Sequence, residues 1–397
     1  MLHKLLGMNT ELRQQCYEVF CSLPEGIKNI LINVIVNIYK LQARAFPTPP
    51  RLIWYITSRC NARCSHCFYT RYLNRTDDLT IEDVKKIVKS LKVRLEVAAL
   101  TGGEPFLHPD LFEFCKTLVE INRTKLISLS TNGSMPDSIE QVIKKILKNM
   151  QVKINIQVSL DGMRELHDKV RGVPGIFDYA VETVLRLKKI KLQNKQLNDI
   201  SVMTTLSQKN EKHLPELILF VREKLKVFHK FQFIRAANTD VFQAKENWQS
   251  GLISFTDKKP ENISSITDFL SEQILKHNNT LLARKQVEIL RKQAQILEGQ
   301  KPWLDCFAGC VDGVIFANGD VAVCELSQPL ANLRDFNFNF YELWQSPQAN
   351  EMRRNLTKCF CIHPCNLMSS ISFTPSILKR LSAKYYVDSF KGDHVYF

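Results

Sequence analysis

Apolar, β-branched runs recur at residues 52–57, 97–101, 126–130, 154–160, 200–205 and 231–234. Between them lie stretches with apolar residues every three or four positions, at 81–91, 111–119, 139–147, 179–187 and 214–225. The first rhythm is that of buried strands, the second that of amphipathic helices. Strands alternating with helices predict a parallel sheet with right-handed crossovers. Six strands are two short of a closed eight-unit barrel, so the expected fold class is α/β, a partial (β/α)6 TIM-like barrel. In such architectures the chemistry gathers at the C-terminal ends of the strands. The unusual residues of this chain do follow strand ends.

The flanks differ in texture. Residues 27–45 place Ile27, Ile30, Leu31, Val34, Ile35, Ile38, Leu41 and Ala45 at helical spacing, with Asn29, Asn33, Asn37 and Lys40 elsewhere. This amphipathic helix is too short and too rich in asparagine to span a bilayer. It reads either as docked on the protein's own core or as lying in a membrane surface. Pro47, Pro49 and Pro50 then break it. Helical patterns at 263–275 and 280–297 follow the last strand, and from Pro302 the chain turns to short strands at 311–316 and 321–323. Asn318-Gly319-Asp320 between these two reads as a β-hairpin turn. The expected divisions are an N-terminal helical segment (1–50), the barrel (51–240), a helical connector (241–301), a small α+β C-terminal domain (302–368) and a basic tail (369–397).

Of 397 residues, 45% are hydrophobic and 24% charged, the balance of a globular protein. The net charge of +14 biases the surface toward anionic partners. No base-reading module and no Lys/Arg stripe with interleaved aromatics is present, so nucleic acid is not expected. Cysteine is more informative. The first ten residues lack a signal-peptide pattern, and a chain this long needs no disulfide framework. A reducing, cytoplasmic setting is expected, with the helix at 27–45 adding a peripheral contact at the inner face of the membrane. Nine of the twelve cysteines fall in two groups, at 60–67 and 306–365. Cys16, Cys21 and Cys115 stand apart and read as small buried hydrophobes.

The first group, Cys60-Asn-Ala-Arg-Cys64-Ser-His-Cys67, directly follows the first strand. Its CX3CX2C spacing lets three thiolates converge on one face of a loop. Three ligands suit a 4Fe–4S cluster with one iron left open, whereas a carrier cluster takes four. A structural zinc site is the rival, but it wants a fourth ligand and His66 is poorly placed to serve. Residues 54–69 resemble the cluster loop of the radical S-adenosylmethionine (SAM) superfamily. The resemblance implies that the open iron binds the amino and carboxylate groups of SAM. Reductive cleavage of SAM then gives a 5′-deoxyadenosyl radical that abstracts hydrogen from a substrate. His66 occupies a position that is usually aromatic in the family.

Further motifs extend the likeness in chain order. Gly102-Gly103-Glu104-Pro105 follows the second strand and resembles the family's GGE element, implying that Glu104 accepts from the SAM ammonium. Ser130-Thr131-Asn132-Gly133 follows the third and resembles a cofactor-lining TNG element. Ser159-Leu160-Asp161-Gly162, with His167-Asp168, Arg171-Gly172 and Gly175-Ile176-Phe177, is similar to the pattern after the fourth strand. Carried over, Ser159 and Asp161 would contact ribose and Arg171 the SAM carboxylate. Arg235, ending the sixth strand, is a candidate substrate ligand.

The second group comprises Cys306, Cys310, Cys324, Cys359, Cys361 and Cys365. Its spacing, with Gly319 and the Asn332-Leu333…Leu343-Trp344 stretch, resembles the auxiliary-cluster extensions called SPASM and Twitch. A full SPASM domain carries more cysteines, so the resemblance implies a Twitch-like domain with one auxiliary Fe–S cluster. The expected ligands are Cys306, Cys324, Cys361 and Cys365, with Cys359 next and Cys310 a bystander; zinc is the rival here too. His363 is expected behind the ligands. The function implied is radical SAM catalysis fed by a low-potential donor such as ferredoxin or flavodoxin. Peptide maturases of the superfamily often carry a leader-recognition domain before the barrel, and residues 1–50 read as wholly helical. A small-molecule, sugar or lipid-linked substrate is therefore favoured, with a peptide-modifying maturase as the alternative. A non-catalytic iron–sulfur carrier is the alternative of another class; it would need none of the SAM-binding elements.

Overall fold

The computed structural model describes residues 22–234, 258–278, 280–300, 304–356 and 361–381. Arg235, Cys16, Cys21, Cys359 and most of the basic tail lie outside the described residues. The chain divides into two compact units, each assembled from separate segments. One comprises residues 46–262 and 308–356 and holds the sheet; the other comprises 1–45, 263–307 and 357–397.

The sheet unit contains all six expected parallel strands: β1 (Arg51–Thr57), β2 (Val97–Gly102), β3 (Leu126–Thr131), β4 (Lys153–Ser159), β5 (Leu197–Leu206) and β6 (Phe228–Phe233). Each pairs with the next in sequence, from β1 through β6, and the sheet stays open. Alternation sorts its two faces. Ile127, Leu129, Ile154, Ile156, Val158 and Val202 are almost wholly buried, whereas Ser128, Ser130, Asn155, Gln157 and Ser159 are half-buried. A Cβ at Gly133 would stand 2.9 Å from both Ala180 and Val158, so the aliphatic face is the one that meets the helix Ile176–Gln193. The opposite, concave face is polar.

The 302–368 segment is divided between the units. Its hairpin joins the main sheet: β7 (Asp312–Ile315) runs parallel to β1, with Arg51 opposite Asp312, and β8 (Asp320–Ala322) and β9 (Ala331–Asn332) follow antiparallel. Arg51 and Asp312 form a buried ion pair across that seam. The free edge of β1 is thereby closed by later chain, which removes an unpaired edge.

In the second unit the helix Glu25–Arg44 buries Ile32 and Val36 against Ile289, Leu304, Leu367, Ile371 and Ile377. Lys40 pairs with Asp305 at 2.5 Å. Docking on the core therefore holds for one face of this helix. The other leaves Ile27, Ile30, Val34, Ile38 and Leu41 between 38% and 67% exposed. Among the described residues no helix is long and apolar enough to cross a membrane.

Candidate active site at the first cysteine loop

The loop after β1 is tied down from four directions. Asp78 accepts from the Ser58 amide at 2.9 Å and the Thr57 hydroxyl at 2.8 Å. Asn74, in a left-handed conformation (φ 57°), accepts from the Cys60 amide at 2.9 Å. From the end of β2, the Gly103 and Glu104 amides donate to the Thr57 and Arg59 carbonyls at 2.8 and 2.7 Å. From the end of β3, the Asn132 side chain donates to Asn61 at 2.9 Å. From the helix Arg164–Arg171, the carbonyls of Val170 and Arg171 accept from the Ser65 and Arg63 amides at 2.8 and 2.9 Å. The glycines of the GGE element serve this packing. A Cβ at Gly103 would stand 2.1 Å from the Arg59 carbonyl oxygen, so the close approach of the two backbones requires glycine.

Cys60, Cys64 and Cys67 are free, half-buried thiols at the centre of this frame. Burial pushes the Cys60 thiol up to about 12, with Cys64, Glu104 and Cys67 adding to the rise against the Ala62 amide. Burial also raises Cys64, with the Arg171 guanidinium opposing it. Such thiols carry charge only when a metal stabilises the thiolate. Donors for the sulfurs are in place: the Ala62 amide at 3.5 Å from Cys60 Sγ and Arg171 Nη1 at 3.6 Å from Cys64 Sγ. Among the described residues no three His, Cys, Asp or Glu side chains converge as a single-ion site requires. Three thiols with N–H donors to two of their sulfurs are a donor set that a cluster can use.

Two buried carboxylates flank the thiols and differ in state. Glu104 is 1% exposed and accepts from the Thr131 hydroxyl and the Asn132 amide, each at 2.7 Å, and from the Phe106 amide at 3.3 Å. Burial raises its carboxyl to about 7 against those donors. Three bonds leave one of about four acceptor positions for an ammonium group. Burial alone would raise Asp161 as well, but Arg171, His66, His167 and the Thr205 amide outweigh it and hold this carboxyl below its ordinary value. Arg171 Nη2 lies 2.6 Å from Asp161 Oδ2, and His66 Nε2 stands 3.9 Å away.

That pairing engages both residues with each other. Asp161 has no exposed surface, and its other oxygen accepts from the Thr205 amide at 3.0 Å. Arg171, expected on the SAM carboxylate, is engaged by Asp161 and Cys64, and only its buried Nε lacks a partner. Two opposite charges taken out of water must satisfy each other. Both residues therefore brace the loop.

Ser130 and Ser159 are half-buried at the ends of β3 and β4 on the concave face, whereas Asn132 and Pro105 are buried. The His-Asp pair has structural work. His167 Nδ1 accepts from the Asp161 amide at 3.0 Å. Asp168 accepts from the Gly175 and Phe177 amides at 2.6 and 2.9 Å, capping the helix that backs β4. Asn61, Asn74, Asp78 and Asn210 were not legible as site residues. Asn210 donates to the Asp161 and Thr205 carbonyls, both at 2.9 Å. Their only sequence signal is the general liking of Asn and Asp for turns.

Of the second cysteine group, Cys310 and Cys324 belong to the sheet unit and Cys306, Cys361 and Cys365 to the helical unit. Cys324 is buried and its sulfur accepts from the Leu326 amide at 3.4 Å. His363 is buried and caps the helix Pro364–Ser372, its Nδ1 accepting from Asn366 at 3.3 Å. Cys115 is fully buried, and burial pushes its thiol up to about 12, as suits a small hydrophobe.

Comparison with known proteins agrees with this geometry. Residues 54–221 match the family model described as the radical SAM superfamily. The chain is 28% identical over 184 residues to the pre-heme d1 synthase of Dinoroseobacter shibae, covering 43% of this chain and 42% of that protein. It is 31% identical over 177 residues to the Fe-coproporphyrin III synthase of Methanosarcina barkeri, covering 44% and 41%. The chain thus matches about two fifths of the length of these curated relatives. In fold it is similar to Streptococcus suis SuiB bound to its precursor peptide SuiA, with a TM-score of 0.55 and 15% identity over 81% of this chain and 74% of that one. The cysteine loop and most of the open parallel sheet fall on the same residues, 54–221, that match the radical SAM superfamily.

Proposed function

We propose that this enzyme cleaves SAM reductively at a 4Fe–4S cluster held by Cys60, Cys64 and Cys67 and uses the resulting radical on a small-molecule substrate. The observation that carries this reading is the anchored loop, in which three free thiols stand beside N–H donors and a buried acceptor. When bound, the cluster supplies the electron that splits the sulfonium, giving a 5′-deoxyadenosyl radical that takes a hydrogen atom from substrate. The chain's own residues do the rest. Glu104 offers its remaining acceptor position to the SAM ammonium, and His66, Gly102, Gly103, Pro105, Ser130, Asn132 and Ser159 line the approach. Asp161 and Arg171 hold the Cys64 side of the loop. The polar concave face, with Ser130, Gln157 and Ser159 half-buried, supports a substrate rich in hydrogen-bonding groups.

The second cysteine group is assigned to one auxiliary Fe–S cluster on its spacing, and a low-potential ferredoxin or flavodoxin is the proposed electron source. The names of the two curated relatives favour a small molecule. A peptide is the second reading, supported by the fold shared with a protein that holds its precursor peptide. Anaerobically reconstituted protein with dithionite is expected to convert SAM to 5′-deoxyadenosine. A loaded protein that leaves SAM intact sinks the proposal. The exposed aliphatic row on Glu25–Arg44 supports peripheral membrane contact. Flotation with anionic phosphatidylglycerol vesicles at low salt is the check, and protein staying wholly at the bottom of the gradient removes that contact.

A further inference from the structure

The two ends of the parallel sheet differ in charge. The chain enters β2 to β6 through the stretches 92–96, 123–125, 148–153, 191–197 and 224–228. Because the strands are parallel, all five entries lie at the end away from the cysteine loop. Each stretch carries two Lys or Arg residues, and all ten are exposed. Glu96 is the one carboxylate in the five stretches, shared by Lys125 at 2.6 Å and Arg94 at 3.9 Å. Of the flanking acids, Glu223 pairs with Arg222 and Asp199 with Lys230. Outside the cysteine loop, the other end is not basic. The stretches that leave β2 to β5, at 103–110, 132–138, 160–175 and 207–213, hold seven carboxylates and five Lys or Arg.

Helix C-termini attract cations, and Lys148 and Lys191 sit in last turns. That leaves Arg94, Lys125, Lys153, Lys195 and Lys226, on the strand side of each junction, without such a cause. Neighbouring strands are about 4.8 Å apart, so the five entries span roughly 20 Å. Like charges gathered within two Debye lengths repel one another and draw an extended anionic surface. Two apolar side chains stand in the same rim. Leu192, between Lys191 and Lys195, is 88% exposed, the most exposed large apolar side chain among the described residues. Ile121, two residues before Arg123, is 39% exposed. Basic groups for lipid phosphates around aliphatic tips for the headgroup boundary are the chemistry of a membrane surface contact. Nucleic acid fits less well, because the one aromatic residue in the five stretches is the half-buried Phe228, which gives bases no stacking platform. An acidic electron carrier fits no better. It must reach the first cysteine loop, and the seven residues of β1 separate the two ends by roughly 20 Å.

We propose that this basic end of the sheet unit is a docking face for an anionic phospholipid bilayer, with Leu192 entering the lipid boundary. The face belongs to a different unit from the helix Glu25–Arg44 and does not rest on the contact proposed for that helix.

The test is flotation of the full chain with mixed phosphatidylglycerol–phosphatidylcholine vesicles and with phosphatidylcholine alone, at low and high salt. Binding should need phosphatidylglycerol and fall steeply as salt rises. Replacing four rim charges together (Lys191→Gln, Lys195→Gln, Lys224→Gln and Lys226→Gln) should lower the partition coefficient roughly tenfold or more at low salt. Ile30→Ser with Leu41→Ser removes the helix row, and the loss from the rim substitutions should persist in that background. Leu192→Trp should add fluorescence that shifts to the blue with the phosphatidylglycerol vesicles only. A rim variant that floats like wild type, or fluorescence from Leu192→Trp that does not move, overturns the proposal. So does wild-type protein that binds a nucleic-acid duplex through the rim and leaves the vesicles alone. Circular dichroism checks each fold. Should the fourfold variant fail to fold, Lys195→Gln with Lys226→Gln decides in its place, with a severalfold loss expected and wild-type flotation overturning the proposal.

Discussion

The first cysteine loop occupies eight consecutive residues, 60–67, and its anchors on β2, β3, the Arg164–Arg171 helix and the Asn74–Asp78 turn all belong to one compact unit. The second group spreads over sixty residues of sequence and both units, with Cys324 just after β8 in one and Cys361 just before the helix Pro364–Ser372 in the other. A contiguous motif at a strand end inherits its geometry from the sheet beneath it. A dispersed set depends on how later chain returns, as β7 does when it closes the edge of β1. The comparison teaches that the loop is held by several strand ends and a helix of one unit, whereas the cysteines of the second group are divided between two units.

The sharpest way to break that comparison is to remove one thiol from each group. Cys64→Ala is expected to lower 5′-deoxyadenosine formation by two orders of magnitude or more, because a cluster with an open iron has no spare ligand. Cys361→Ala should leave SAM cleavage within about threefold of wild type, the roles being separate. Equal losses in the two variants, read by chromatography of 5′-deoxyadenosine, contradict the division of labour.

A smaller effect is expected behind the loop. Asp161→Ala strands the buried Arg171 guanidinium, and breaking such a pair costs about 3–5 kcal/mol. Denaturant unfolding of the reduced protein measures it. A cost below about 1 kcal/mol would show that the pair does not brace the loop.

The smallest effect concerns acid. Burial, with Arg171 beside it, holds His167 near 4 against an ordinary 6.5, so the folded state keeps the ring neutral while the unfolded chain takes up the proton first. Stability present above pH 6.5 is therefore lost as pH falls toward 4, by about 2 kcal/mol between pH 7 and pH 5. His167→Gln should flatten this part of the stability profile. A variant with the wild-type slope assigns the acid sensitivity elsewhere.

How much of this was legible varies with range. Apolar, β-branched runs set between helical periods exposed all six parallel strands, because strands largely covered in a parallel sheet write short continuous apolar stretches. The cysteine spacing and the GGE and SLDG elements were legible because each follows a strand end. What could not be read was partnership across distance. Nothing in the hairpin at 311–323 announces β1 as its neighbour, and nothing in Asp161 announces Arg171 as its partner. Gly103 was visible as a required glycine, but its cause, the Arg59 carbonyl, comes from another loop. Asn74 and Asp78 look like any polar turn until the Cys60 and Ser58 amides are seen to need them.

The central claim is that Cys60, Cys64 and Cys67 hold a cluster with one iron open to SAM. Electron paramagnetic resonance of the reduced, reconstituted Cys324→Ala variant, with and without SAM, addresses that cluster most directly. A signal whose g-values shift on adding SAM, and which disappears when Cys64 is also replaced, is the predicted result. A signal indifferent to SAM would contradict the account, as would a colourless protein holding zinc at this loop.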